Sequence, residues 1–310
     1  MIQIRVLNLS GKINSGFRNA AIGNFDGIHS GHLELIKCLG DDNLRCLISF
    51  YPHPQRVIQG GKVKALTPLR EKVRLLKLLN IDQLILIRFS KNLKSLSAKD
   101  FLINLIIKQL KVQKLVVGED WRFGVDRSGD ITYIQNLLNE NNHDIFGFKK
   151  LEVVNIKTFN EYKISSTEIR KLLEVGNLEK VNTILGRDLS YTGRVVQGYK
   201  RGRQIGFPTA NINLPNSYLP QSGVYYGYAN IENIKYLAVI NIGVRPTFNN
   251  SAVTSFEVHL IDQNIDLYSK IATISLIKKI RDEVKFDSID QLKAQIAKDV
   301  SYARDLSDNL

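Results

Sequence analysis

The chain has 310 residues, of which 44% are hydrophobic and 24% charged, a composition that suits two ordinary globular domains and excludes an intrinsically disordered protein. Lysine and arginine number 43 against 30 acidic residues, and the net charge of +13 favours anionic partners without choosing among nucleotides, nucleic acid and a membrane surface. The first residues lack a secretory-signal pattern, and no apolar stretch reaches the roughly 18 residues of a membrane span, so we expect a soluble, cytoplasmic protein with no membrane partner.

The first half of the chain alternates short apolar runs with helical patterns. The apolar runs predict five strands, at residues 20–25, 44–50, 84–89, 115–118 and 145–154. Helix starts are predicted at Thr67-Pro68, where Thr67 is the N-cap, and at the capping pair Ser97 and Asp100. This alternation predicts an α/β fold with a parallel sheet and helices on both faces, whose ligands bind at the carboxyl ends of the strands.

The two cysteines lie within these patterns. Cys38 falls in an apolar helical pattern and Cys46 in an apolar strand pattern. Their number permits a disulfide, but buried free thiols are the favoured interpretation for a cytoplasmic chain.

The second half of the chain has a different order of predicted elements, with consecutive strands in place of alternating strands and helices. Ser165 and Glu168 have the spacing of a capping box, which predicts a helix that ends near Gly186. Six short strands follow, at residues 194–197, 210–214, 224–231, 235–242, 255–261 and 270–277. A last helix is predicted to begin at Ser288, with Gln291 in its cap. These elements predict a six-stranded antiparallel β-barrel with a terminal helix, and domains at residues 1–186 and 187–310.

A glycine-rich turn joins the first predicted strand to the first predicted helix, with the sequence GNFDGIHSGH at residues 23–32. Glycines let the backbone approach a phosphate, and a helix start offers free N–H groups. The candidate phosphate contacts of this turn are Gly23, Asn24, Phe25, Asp26 and Gly31. Two of the five histidines in the chain, His29 and His32, lie here and are candidate catalytic groups that stabilise charge during attack on an α-phosphate.

The H-x-G-H pattern resembles the nucleotidyltransferase superfamily, whose second signature places Ser/Thr and a basic residue at a helix start. The corresponding residues here are Ser165, Ser166, Thr167 and Arg170. By itself this cluster is more typical of a helix cap; beside the first motif, the resemblance implies a second phosphate clamp.

Further stretches resemble the prokaryotic bifunctional riboflavin kinase/FAD synthetase family: SFYPHP at residues 49–54, LTPLREK at 66–72 and GEDWRFG at 118–124. The resemblance implies an N-terminal domain that transfers an adenylyl group from ATP to FMN, giving FAD. It implies that His29 and His32 hold ATP phosphates and that Asp120 and Phe123 contact the flavin.

A second glycine-rich and basic loop, GYKRGRQIGFPTAN, occupies residues 198–211. It is not a Walker loop, because it lacks G-K-[ST] and a strand follows where that motif needs a helix. Its candidate phosphate contacts are Gly198, Lys200, Gly202, Arg203, Gly206 and Pro208. Thr209 and Asn211 alternate along a strand start, so they share one face and offer hard oxygen ligands for Mg²⁺. Taken alone, the segment could also be a basic surface hairpin.

This loop resembles the riboflavin kinase signature, and NIGVRPTF at 241–248, FEVHL at 256–260 and IRDE at 280–283 follow in the order of that family. The resemblance implies phosphorylation of riboflavin to FMN by the C-terminal domain, with ATP as co-substrate and Mg²⁺ bound by Thr209 and Asn211. It implies that Glu257 is the general base on the ribityl hydroxyl. Arg281 would position flavin or phosphate, with a plain salt bridge as the alternative.

Two other functions remain as alternatives. One keeps the fold but only one of the two activities. The other is a basic nucleic-acid-binding protein, which the +13 charge and the KRGR sequence at 200–203 suggest. Nucleic-acid modules usually interleave aromatic with basic residues or offer a basic helix, whereas this cluster is one glycine-rich loop. We therefore expect riboflavin, FMN and ATP as partners, and no nucleic acid.

Overall fold

The computed structural model describes residues 2–9, 16–58, 60–61, 63–141, 144–155, 158–159, 162–197, 202, 205–245, 253–263 and 265–308. The chain divides into two compact units. The first comprises Met1–Ala65 and Lys72–Ser165, and the second comprises Leu66–Glu71 and Ser166–Leu310. None of the described helices combines the length and the apolar composition that a membrane crossing requires.

The first unit contains a six-stranded parallel sheet. Its strands are β1 (Gln3–Leu7), β2 (Arg18–Ile22), β3 (Leu44–Tyr51), β4 (Gln83–Arg88), β5 (Val112–Gly118) and β6 (Lys150–Val154), in the order β1-β4-β3-β2-β5-β6. A short hairpin of β7 (Thr158–Phe159) and β8 (Tyr162–Lys163) follows. The helices up to this point are α1 (Ser30–Lys37), α2 (Pro54–Ile58), α3 (Leu69–Leu78), α4 (Lys91–Lys94), a π-helix (Asp100–Gln109) and α5 (Ile131–Glu140).

Alternate residues of the central strands pack into two separate cores. Ala20 and Ile22 of β2 face a core that contains residues of the π-helix and α5, whereas Ala21 faces a core that contains residues of α1 and α3. Buried side chains on both sides of a parallel sheet need helices on both faces. The prediction of a parallel sheet covered on both sides is therefore confirmed.

Strand β1 and the start of β6 differ from the sequence-based prediction. β1 was not predicted; its Ile4 and Val6 are 46% and 62% exposed, so it has no buried apolar run to reveal it. The last strand begins at Lys150 and not at residue 145, because Phe146 and Gly147 have φ angles of 52° and 87° and Ile145 pairs with Phe148 in a tight turn.

The second unit is a closed barrel with flanking helices. It contains α6 (Ser166–Glu174), α7 (Leu178–Leu185), β9 (Leu189–Val196), β10 (Ala210–Asn213), β11 (Gly223–Ile231), β12 (Ile234–Arg245), β13 (Val253–Leu260), β14 (Ile271–Arg281) and α8 (Ile289–Asp308). The six strands are antiparallel in the order β10-β13-β12-β11-β14-β9, and β9 pairs with β10 to close the barrel. The predicted barrel and terminal helix are confirmed.

The helical segment before the barrel is interrupted, so the prediction of one helix up to Gly186 is wrong. Gly176 has a φ of 71°, which ends α6, and the side chain of Asn177 accepts a hydrogen bond from Lys180 N to start α7. The predicted helix end near Gly186 is confirmed, and Gly186 ends α7 in a left-handed conformation. The predicted cap of α8 is confirmed, since Ser288 Oγ accepts from Gln291 N at 3.2 Å.

Both cysteines are free thiols, as favoured, but only Cys46 is buried, whereas Cys38 is half-buried. Cys46 is fully buried in β3, and burial raises the pKa of its thiol to about 12. A thiol that stays protonated is inert as a nucleophile, so Cys46 serves packing.

Candidate functional site

The first candidate site lies where the strand order of the parallel sheet reverses. β2 has β3 on one side and β5 on the other, so connections from these strands leave in opposite directions. Open sheets of this kind bind ligands in the crevice at such a point, outside the carboxyl ends of the strands. The turn at residues 23–29 follows β2, and the loop at residues 119–130 follows β5.

The turn after β2 has an unusual backbone that its apolar side chains hold in place. Phe25, Gly27 and Ile28 have φ angles of 47°, 96° and 43°. Left-handed backbone is unfavourable for a β-branched residue such as Ile28 and persists where surrounding structure enforces it. Phe25 and Ile28 are 0% and 1% exposed and belong to the core under α1 and α3. Core packing therefore fixes the path of the turn.

The two candidate catalytic histidines stack on each other at the start of α1. The ring centroids of His29 and His32 lie 3.7 Å apart at an interplanar angle of 16°, and the Phe25 ring lies 4.9 Å from His32. His29 occupies the N-cap position without a side-chain bond to the helix. Burial, with smaller contributions from His29 and Lys72, lowers the pKa of His32 well below its usual value. His32 is therefore a neutral imidazole at pH 7, which can donate one N–H to a phosphate oxygen.

The other predicted residues of this turn have different surroundings. The main-chain carbonyl of Asn24 accepts hydrogen bonds from Ser49 Oγ at 3.1 Å and from Lys72 Nζ at 2.8 Å. Asp26 is 3% exposed, and Gly31 is buried in the first turn of α1. The buried side chain of Phe25 leaves only its backbone to face a ligand, whereas Gly23 continues the sheet by donating to Ile48 O at 3.1 Å.

The loop after β5 is held by an aromatic cluster. The Phe123 ring is 5% exposed and stacks on Trp121 with centroids 4.6 Å apart. A Cβ on Gly129 would come within 2.5 Å of that ring, so glycine is required there. Of the two predicted flavin contacts in this loop, Asp120 is exposed and Phe123 is packed inside; both roles stay predictions.

The residues of the predicted second phosphate clamp are assigned to two different units. Ser165 ends the first unit, whereas Ser166, Thr167 and Arg170 belong to α6 in the second. Arg170 donates from Nη1 to Ser166 O at 3.3 Å, and its guanidinium lies 5.5 Å from the centroid of the Tyr218 ring. Convergence of this cluster with the histidine pair stays a prediction.

The second candidate site is a row of polar side chains across three strands of the barrel. Glu257 of β13 pairs with Asn211 of β10 on one side and with Asn241 of β12 on the other. Directly paired residues of antiparallel strands point to the same face. Thr209, two residues before Asn211, lies with Oγ1 3.4 Å from Glu257 Oε2. The predicted base and the two predicted metal ligands are thus brought together.

The loop that leads into this row is partly described. Gly198, Lys200 and Arg203 lie outside the described residues. Gly202 O accepts from Phe207 N at 2.8 Å, and a Cβ on Gly202 would come within 2.3 Å of Phe207 O. The ring nitrogen Nδ1 of His259 lies 2.8 Å from Pro208 O, which fixes the backbone immediately before Thr209. Gly206 has a φ of 89°.

A cavity of about 430 Å³ adjoins Thr209. Its walls come from the end of β9, from the start of β10, from β13 and from the loop that follows β13: Val195, Val196, Gln197, Pro208, Thr209, Ala210, Val258, Leu260, Gln263, Ile265, Asp266, Leu267 and Tyr268. The sequence did not predict the wall formed by residues 263 and 265–268, because nothing there resembles a binding motif.

Arg281 forms the salt bridge that the sequence left open as an alternative. Its Nε and Nη2 donate to the carboxylate of Asp299 at 2.9 and 2.7 Å, and its Nη1 donates to Asp282 O at 2.9 Å. Asp299 is 3% exposed and also accepts from Gln295 Nε2 at 2.9 Å. Arg281 therefore ties the end of β14 to α8; a contact with flavin stays a prediction.

Comparison with known proteins agrees with this division of sites. A family model described as FAD synthetase matches residues 15–168, and one described as riboflavin kinase matches residues 185–307. A bifunctional riboflavin kinase/FMN adenylyltransferase from Buchnera aphidicola subsp. Schizaphis graminum is 37% identical over 97% of both sequences. The chain belongs to this bifunctional family.

Other members of the bifunctional family are equally similar. The riboflavin kinase/FMN adenylyltransferase of Escherichia coli strain K12 is 39% identical over 92% of this chain and 91% of its own length.

A crystal structure described as a macrolide-efflux protein from Streptococcus pneumoniae aligns with a TM-score of 0.84 and 30% identity over 97% of this chain and 98% of that one. Its description differs from those of the curated relatives, although the fold is shared over both units.

Proposed function

We propose that this family member phosphorylates riboflavin to FMN at the Glu257 row of the barrel and adenylylates FMN to FAD at the histidine turn of the parallel-sheet unit. Both activities are those of its family. The observation that supports the residue assignment is that each unit holds one such constellation: stacked His29 and His32 in the first, and Glu257 between Asn211 and Asn241 in the second.

In the kinase reaction, a ribityl hydroxyl oxygen bonds to the γ-phosphorus of ATP while the bond from that phosphorus to ADP breaks. Glu257 accepts the hydroxyl proton, a role for which a carboxylate needs only a lone pair within reach. The Thr209 hydroxyl and the Asn211 amide are hard oxygen donors that fit Mg²⁺, which retains positions for phosphate oxygens and water. When bound, Mg²⁺ supplies positive charge to the phosphates.

The cavity beside Thr209 supports the placement of ATP. Its volume of about 430 Å³ lies in the range of small-molecule sites. Its wall combines aliphatic side chains with Tyr268, Gln263 and Asp266, a mixture that suits a nucleoside. We place the adenosine of ATP there, with the phosphates directed towards Thr209 and Asn211.

In the adenylyl transfer, a phosphate oxygen of FMN bonds to the α-phosphorus of ATP while the bond from that phosphorus to pyrophosphate breaks. No proton has to be removed from the attacking oxygen. The work of the protein is to stabilise charge on the non-bridging oxygens with donors already in place. We assign this to N–H groups of His29 and His32 and of the start of α1, with Ser165, Ser166, Thr167 and Arg170 as the second clamp.

ATP and FMN are small anions, and riboflavin becomes one when it is phosphorylated. Binding of these ligands is a sufficient reason for a basic surface, so no nucleic-acid partner is needed to explain it. We accordingly place the protein in the cytoplasm, with ATP, riboflavin and FMN as its partners and no membrane or nucleic-acid partner.

A double dissociation tests the assignment. With purified protein, Mg²⁺ and ATP, His29→Ala should lower FAD formation from FMN by about 10²–10³, the usual cost of one charge-stabilising donor, while FMN formation from riboflavin is kept. Glu257→Ala should abolish FMN formation and keep FAD formation from supplied FMN. Each variant is the control for the other. Wild-type protein that makes only one product would favour the single-activity alternative, and a His29→Ala variant with unchanged FAD synthesis would refute the N-terminal assignment.

A further inference from the structure

A buried lysine that the proposed mechanism does not use lies against the histidine turn. Lys72 is on α3 and is 8% exposed. Its Nζ donates to the carbonyl of Asn24 at 2.8 Å and lies 3.5 Å from Ser49 Oγ, which donates to the same carbonyl at 3.1 Å. The Asn24 carbonyl is thus held from two elements, α3 and β3, immediately before the left-handed residue Phe25.

The position of Lys72 is costly unless its charge has a use. Moving an ammonium out of water is unfavourable without paired charge and hydrogen bonds. The titratable groups that face it are Asp26 of the turn, which is 3% exposed, and the neutral imidazole of His32. Burial lowers the pKa of Lys72 to about 8, and Asp26 opposes that effect. An apolar residue of the same length would fill this space without a desolvation cost.

An anionic ligand at the turn would offset the cost of burying the charged form of Lys72. Phosphate oxygens held by His29 and His32 bring negative charge close to the ammonium, which favours its protonated form. The lysine would then contribute to binding in two ways: it fixes the backbone of the turn, and it supplies positive charge from the protein side.

We infer that Lys72 is a positioning residue for adenylyl transfer, which holds the Asn24 carbonyl and places a buried positive charge next to the phosphate-binding turn. The inference rests on the proposed function of that turn. It extends the site from the contiguous residues 23–32 to a helix that begins almost 40 residues later in the chain.

Matched substitutions on α3 test the positioning role. Lys72→Met keeps the length of the side chain but removes the charge and the donor, whereas Lys77→Met removes an exposed lysine from the same helix. We expect Lys72→Met to lower kcat/KM for ATP in FAD synthesis by about 10²-fold, comparable to the loss of one charge-stabilising donor. Lys77→Met should equal wild type, and riboflavin phosphorylation by each variant should be unchanged.

The pH profile provides a readout that a merely structural lysine would not affect. Because kcat/KM reports the free enzyme, wild-type FAD synthesis should fall on the basic side with an apparent pKa near 8. The pH at which kcat falls should be higher, because kcat reports the enzyme–substrate complex and bound phosphate favours the protonated form of Lys72. Lys72→Met should lack this basic fall, and Lys72→Arg, whose guanidinium does not titrate in this range, should lack it as well.

The outcomes separate the inference from the proposed function. Lys72→Met with the wild-type rate of FAD synthesis, or with the same basic fall, overturns the role of Lys72. If the Lys72→Met variant does not fold, the wild-type profile decides, and a profile without a fall near pH 8 overturns it. Wild-type protein that forms no FAD at any pH contradicts the proposed function instead.

Discussion

The histidine pair shows how burial selects one protonation state for a phosphate-binding group. His32 stacks on His29 at 3.7 Å, and its Nδ1 is buried without a hydrogen-bond partner among the described residues. A second positive charge at that distance would be unfavourable, and desolvation acts in the same direction. His32 therefore offers a neutral N–H donor, and the buried Lys72 close to it can carry a full positive charge.

The depressed pKa of His32 predicts a pH dependence of stability. Because its folded-state pKa lies well below the usual 6.5, the unfolded chain binds the extra proton first as pH falls, and the stability present above about pH 6.5 is lost below it. Urea unfolding followed by fluorescence of Trp121, the single tryptophan and part of the first unit, should show a lower midpoint at pH 5.5 than at pH 7.5. The decrease should be smaller in His32→Gln; an equal decrease would contradict the assignment.

Contiguous motifs let the sequence predict part of each site. His29 and His32 are three residues apart, and Thr209 and Asn211 share a strand start, so local geometry alone brings each pair together. Lys72 and Asn241 are different, because each is relevant through a residue far away in the chain. Lys72 contacts the carbonyl of Asn24, and Asn241 pairs in register with Glu257. No periodicity of one sequence reveals which half-buried polar residue in a distant element faces a motif.

The path of the loop after β5 depends on Gly124 as well as on Gly129. Gly124 has a φ of 74°, and a Cβ there would lie 2.7 Å from Ala98 N and 2.8 Å from Ala98 Cα. Those are backbone atoms, so the loop itself would have to move. The adjacent hydrogen bond from Val125 N to Leu96 O at 2.7 Å would be stretched with it.

We expect Gly124→Ala to destabilise the first unit by about 1–3 kcal/mol, from left-handed backbone strain and the backbone clash, and to slow FAD synthesis while riboflavin phosphorylation is kept. Gly61→Ala is the matched control, since Gly61 has a φ of 86° but no atom within 4 Å of its Cβ position. The two can be compared by Trp121 fluorescence and by both product assays. Equal effects of the two substitutions would show that the contact with Ala98 is unimportant.

Among the strands of the sheet, sequence-based prediction found those whose two faces are both buried and missed β1, which has an exposed face. Strands β2 to β5 have continuous apolar runs because both faces are covered, whereas β1 is exposed on one side and has no such run. The break between α6 and α7 depends on the left-handed Gly176, and an isolated glycine in a helical pattern is ambiguous. The π-helix at 100–109 starts at the predicted Ser97–Asp100 cap, but its hydrogen-bond period cannot be read from apolar spacing.

The excess of positive charge on the whole molecule is compatible with two functional classes, an enzyme that binds nucleoside phosphates and a protein that binds nucleic acid. A net charge of +13 attracts nucleoside phosphates and nucleic acid alike. The two differ in what they require of the surface: a polynucleotide needs an extended basic track, whereas ATP and FMN need enclosed sites. The cavity of about 430 Å³ beside Thr209 is a concave site of the size that small molecules occupy.

Ligand protection distinguishes the two classes without any substitution. A ligand that binds only the folded protein stabilises it by about 2.7 kcal/mol at a concentration of 100 Kd, so ATP with Mg²⁺, and FMN, should each raise the Tm measured by calorimetry. A single-stranded oligonucleotide at the same phosphate concentration should not raise it at physiological salt, because non-specific phosphate contacts weaken steeply with ionic strength. Repeating the measurement at low salt gives the control, since a purely electrostatic contact would appear there and vanish on adding salt. If the oligonucleotide protects as well as ATP does at physiological salt, the basic surface has a polynucleotide partner in addition to the two flavin reactions.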